Sequence, residues 1–154
     1  MGYASGMTSD AVRAWAALLR LHARLVPQFD RELQTAAALP LSWYDVLLEL
    51  SSTGGRLRMT ELGERVVLSR TRVSRLVDEL VREGLVEKEP NPDDARSSYA
   101  VLTDEGERRF RAAAPVYTAA IERELGASLP TGELASFADD LERILGATKT
   151  ERTR

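Results

Sequence analysis

The chain contains no cysteine and a single histidine, His22. The first absence excludes disulfides, thiolate nucleophiles and thiol-based redox sensing. The second leaves too few nitrogen and sulfur donors for a zinc quartet. No glycine-rich phosphate loop or nucleophile with a positioned base is present, so the residues point to no enzyme and no cofactor. Apolar runs stay well short of the roughly 20 residues that span a bilayer. The opening MGYASGMTSD has neither a basic region nor an apolar one, and does not resemble a signal peptide. The expectation is therefore a cytoplasmic protein with no membrane partner.

A strong charge of one sign is missing too. The net charge is −3, with 21 basic and 24 acidic side chains in 154 residues. Bulk charge therefore argues for no polyanionic partner, and the distribution has to be examined. Residues 56–96 are neutral overall. Within them Arg70, Arg72 and Arg75 fall together without an acid, among Ser69, Thr71 and Ser74.

Apolar residues recur at helical spacing from Asp10 to Ala38: Val12, Trp15, Leu18, Leu19, His22, Leu25, Phe29 and Leu33. That predicts a long helix, kinked or split at Pro27 and stopped by AALPLS. Ser42 is placed as the cap of a second helix to about Leu50, with Asp45 completing a capping box. Thr60 is expected to cap a short helix, TELGERVV, followed by a turn at Leu68–Ser69 and a second helix, RTRVSRLVDELVREG. Two helices joined by a tight turn have helix-turn-helix spacing. Leu62, Val66, Val73, Leu76, Val77 and Leu80 form their expected core, and Gly84 the stop.

Leu85–Glu89 and Ser98–Leu102, around the tip NPDDARS, predict a β-hairpin. Thr103 is expected to cap a long helix, kinked at Pro115. A last helix is expected over about Glu133 to Leu145, with TKTERTR as a frayed tail. The fold class is mainly α (α+β): one domain over 1–154, with a DNA-reading lobe at 56–102 and helical regions at 10–38 and 104–146. The outer helices carry more apolar surface than the lobe can cover, which suggests pairing across a two-fold axis.

The run LSRTRVSRLVDELVREGLVEKEPNPDDARSSYAVLTDEG resembles the MarR family of bacterial regulators. It combines a recognition helix, the GLV step into a wing, the Asp94-x-Arg96 tip and the exit Leu102-Thr103-x-x-Gly106. Two positions depart from the family pattern: Gly63 stands where alanine is usual, and Ala95 where a second arginine is common. The resemblance implies a winged helix-turn-helix with long dimerisation helices and a β-hairpin wing. The implied function is a transcription regulator, by default a repressor, that binds pseudo-palindromic operator DNA as a homodimer. A small aromatic or phenolic effector is often the releasing signal in that family.

Mapped onto this sequence, the resemblance puts Ser69, Arg70, Thr71, Arg72, Ser74 and Arg75 in the major groove. It puts Asp94, Arg96 and Ser97 on the wing, with Arg96 entering the minor groove. Val12, Leu18, Leu19, Leu134, Phe137, Leu141, Ile144 and Leu145 are the candidate dimer residues; some of them could instead seal intramolecular core. Trp15, His22, Trp43, Tyr44 and Asp45 are the candidate effector pocket, against the plainer reading that they fill core or cap helices. A rival function is a winged protein-interaction module that does not bind DNA.

Overall fold

The computed structural model describes residues 9–67 and 72–150. Contacts divide the chain into two compact units, Met1–Val116 and Tyr117–Arg154. In chain order the elements are α1 (Asp10–Ala37), α2 (Leu41–Ser52), β1 (Arg56–Arg58), α3 (Met59–Arg65), α4 (Val73–Arg82), β2 (Val86–Pro90), β3 (Ser98–Leu102), α5 (Asp104–Ile121) and α6 (Thr131–Thr150). A short π-helical stretch, Glu122–Gly126, follows α5.

α1 begins where the Ser9 hydroxyl accepts the Val12 amide, and it runs through Pro27 as one helix. Of the kink or split expected there, the split does not occur. A proline inside a helix removes one backbone hydrogen bond, and the burial of Leu25, Phe29 and Leu33 along one stripe holds the helix across that gap. It ends at Ala38, whose φ of +50° is left-handed, with Arg109 donating to the Ala38 carbonyl at 2.7 Å. α5 likewise passes through Pro115 as one element.

α2 supplies the centre of the first unit: Leu41, Tyr44, Asp45, Val46, Leu47 and Leu50 are all buried. Its entry differs from the expectation. Pro40 is the N-cap, and the first-turn Leu41 amide donates to Asp30 Oδ1 of α1 at 2.8 Å. Ser42 lies inside the helix, and the Asp45 carboxylate is used elsewhere. α3 also starts earlier than expected. Arg58 is its N-cap, the Arg58 amide donating to Glu61 Oε2 at 3.2 Å, and Thr60 is internal.

The sheet has the order β1-β3-β2, antiparallel throughout. Leu57 faces inward opposite Ala100, and Val86 pairs with Leu102. Sequence reasoning did not anticipate β1. The turn before it uses Gly54 and Gly55, both at positive φ, and Gly55 accepts the Leu102 amide at 2.7 Å.

Thr103 caps α5 as expected. Its Oγ1 accepts the Gly106 amide at 3.0 Å and donates to the Gly84 carbonyl at 2.8 Å, tying the end of α4 to the start of α5. In the second unit α6 continues to Thr150, into the tail expected to fray. Among the described residues no helix is long and apolar enough to cross a membrane.

Candidate nucleic-acid interface

α4 is two-sided. Leu76, Val77 and Leu80 are buried and Val73 is half-buried, while Ser74, Arg75 and Asp78 are exposed. Arg72 stands exposed at the N-cap. α4 therefore presents Arg72, Ser74 and Arg75 to solvent from a stripe anchored in the core. Ser69, Arg70 and Thr71 lie outside the described residues, as does the expected turn at Leu68–Ser69.

The corner after α3 is held from α2. Val66 is buried, and the next amide, that of Val67, donates to Asp45 Oδ2 at 3.1 Å. Asp45 itself is only 7% exposed. A buried carboxylate needs such donors, because leaving its charge unpaired there is costly. Asp45 was singled out in the sequence, but as a pocket and cap residue. Trp43 is likewise engaged, its indole Nε1 donating to Glu79 of α4 at 3.2 Å. Tyr44 packs its ring against Phe110 at a centroid distance of 5.1 Å. Trp15 and His22, the other two residues of that set, are exposed on α1; the histidine is thus not part of the core.

The wing tip, residues 91–97, is organised by a residue that sequence reasoning passed over. Asn91 is 5% exposed. Its Nδ2 donates to Ser97 Oγ at 2.8 Å, and its Oδ1 accepts the Asp93 amide at 3.0 Å. This is an Asx-turn, and the signal for it was the Asn-Pro-Asp sequence. Asp94 closes the next step, accepting the Arg96 backbone amide at 3.0 Å. Asp94 thus braces the loop backbone, and Arg96 is exposed at the tip. Ser97 is half-buried and caps the same loop, donating to the Asp94 carbonyl.

The base of the wing carries two further cations. The Arg56 guanidinium stacks 3.5 Å from the Tyr99 ring centroid, and its Nε donates to Glu89 at 3.1 Å. Arg58 Nε donates to the Tyr99 hydroxyl at 3.4 Å, and this bond holds the guanidinium pKa above its ordinary value. Lys88 of β2 pairs with Asp78 of α4 and ties the hairpin to the helix.

The expected dimer residues divide by unit. On α1, Val12 and Leu19 are exposed and Leu18 is half-buried. On α6, Ile144 and Leu145 are exposed, whereas Leu134, Phe137 and Leu141 are half-buried.

Comparison with known proteins fits this geometry. A family model described as the MarR family matches residues 39–97, from the end of α1 to the wing tip. The HTH-type transcriptional regulator YkoM of Bacillus subtilis (strain 168) is 33% identical over 84 residues. That match covers 54% of this chain, and the chain spans about half, 54%, of the length of that curated relative. Among solved structures, Sco3205 of Streptomyces coelicolor, a MarR family transcriptional regulator in complex with DNA, superposes with a TM-score of 0.81 at 28% identity. That similarity covers 96% of this chain and 92% of the other. AbsC, a MarR family transcriptional regulator of the same organism, gives a TM-score of 0.80 at 27% identity, covering 95% and 99%.

Proposed function

We propose that this chain, which a MarR family model matches over residues 39–97, is a regulator of that kind that binds duplex operator DNA as a homodimer and represses transcription. The observation that carries this reading is the two-sided α4. Its arginine- and serine-bearing side is exposed, its leucine-rich side is buried, and Val67, at the corner after α3, is pinned to α2. Such a helix keeps its orientation when its polar side enters a major groove. The wing adds an exposed arginine, Arg96, on a loop closed by its own hydrogen bonds. A guanidinium presented that way suits a narrow minor groove, where the negative potential is concentrated. A solved relative carrying DNA, Sco3205, supports the same reading.

Dimerisation is supported by the apolar residues that α1 and α6 leave exposed: Val12, Trp15 and Leu19 on the first, Ile144 and Leu145 on the second. Two recognition helices related by a two-fold axis would address half-sites about 34–36 Å apart. Trp43, Tyr44 and Asp45 are engaged in hydrogen bonds or ring packing, so the proposal rests on no effector pocket. The test is selection of bound fragments from genomic DNA, followed by footprinting and sedimentation of the complex. Two protected half-sites and two chains per duplex are expected. No preference among fragments, or one chain on one half-site, would overturn the proposal.

A further inference from the structure

Glu79 of α4 makes a hydrogen bond through each carboxylate oxygen. Its Oε2 accepts the Trp43 indole Nε1 from α2, and its Oε1 accepts the Arg75 Nε one turn earlier on α4, both at 3.2 Å. The Glu79 side chain is 26% exposed and that of Arg75 is 79% exposed. An ordinary exposed ion pair at this spacing is weak and restrains little. Here the indole, which comes from a different helix, fixes the carboxylate, and the carboxylate then fixes the arginine.

We propose that Glu79 is a positioning residue, held by Trp43, which sets the direction in which Arg75 meets DNA. This rests on the DNA-binding reading above. Taking the Arg75 Nε leaves the two terminal amino groups as the fork that matches a phosphate or a guanine edge. A guanidinium already oriented loses less freedom when it reaches that one geometry. Non-specific binding tolerates many geometries and gains nothing from the restraint, while the nearby carboxylate repels every phosphate backbone alike. Glu79 therefore serves discrimination between sequences more than raw affinity. Trp43, expected from the sequence in an effector pocket, acts in this relay.

The test measures binding of the full chain, by fluorescence anisotropy, to a selected operator duplex and to a scrambled duplex. Trp43→Phe keeps the ring and removes the indole donor. Glu79→Gln keeps the shape but leaves one acceptor oxygen for two donors. Each should lower the operator-to-scrambled affinity ratio by about threefold or more, the range of coupled neighbours, without weakening binding to the scrambled duplex. In an Arg75→Ala background, Trp43→Phe should cause no further loss of the ratio. An equal loss with and without Arg75, or an unchanged ratio in both single variants, would overturn the relay. If the unmodified protein binds neither duplex, the DNA-binding reading fails instead.

Discussion

The Asp45 carboxylate, buried in α2, accepts the backbone N–H of Val67 across 22 residues of chain. One side chain of α2 thus holds the corner that directly follows α3. Asp45→Ala removes this charged acceptor and leaves its donor without it. A loss of about 1–3 kcal/mol in unfolding free energy is expected, as for hydrogen bonds to charged groups. Urea denaturation followed by circular dichroism measures it, and an unchanged midpoint would show that the corner is held by the Val66 side chain alone.

Two glycines predict opposite signs. A Cβ on Gly106 would lie 2.1 Å from the Leu85 carbonyl oxygen, so alanine there forces backbone apart where α5 leaves the wing. Gly106→Ala should destabilise by about 1–3 kcal/mol or more, the usual cost of overpacking. On α3, a Cβ at Gly63 would meet Val73 Cγ1 at 3.5 Å, an ordinary contact. Gly63→Ala should therefore stabilise, by about 0.8–1 kcal/mol from helix propensity. Thermal melts of the two variants should move in opposite directions.

Periodicity made the long helices and the hairpin legible, because a buried stripe leaves the same spacing wherever the helix packs. Leu25, Phe29 and Leu33, or Leu76, Val77 and Leu80, are examples. β1 was not legible: Arg56–Arg58 offers one inward residue, too few to show alternation. The caps misled because Ser42 and Thr60 have the right chemistry but the wrong backbone entry. The chain turns into α2 at Pro40 and into α3 at Arg58. Asp45 and Trp43 were noticed for their residue types, yet their partners lie 22 and 36 positions away. No local pattern encodes such pairs.

Wing order and wing charge are separable. Asn91 is buried and contacts Asp93 and Ser97, whereas Arg96 is exposed. If Arg96 enters the minor groove as proposed, Arg96→Ala should weaken operator binding by about tenfold or more while hydrogen exchange in residues 91–97 stays as before. Asn91→Ala should speed exchange of the Asp93 and Ser97 amides and weaken binding less, because the arginine is kept but its loop loosens. Equal exchange rates in both variants would remove Asn91 from its role.

The dimer prediction follows from where α1 buries its apolar residues and where it does not. Its C-terminal half covers Leu25, Phe29 and Leu33, yet Val12, Trp15 and Leu19 are 54%, 62% and 51% exposed. These three recur at helical spacing and form one exposed apolar stripe, the kind of surface that contiguous interaction sites present. Since Leu19 is exposed in the single chain, Leu19→Glu should leave the first unit folded. In a two-fold interface the substitution enters twice, and a charge at an apolar contact costs about 2 kcal/mol or more per copy. Sedimentation at micromolar concentration should then show a single chain where the unmodified protein shows two. Operator affinity should fall with it, because a monomer engages one half-site. Ile144→Glu applies the same test to α6. If both variants sediment as the unmodified protein does and bind operator unchanged, the pairing surface lies on neither stripe.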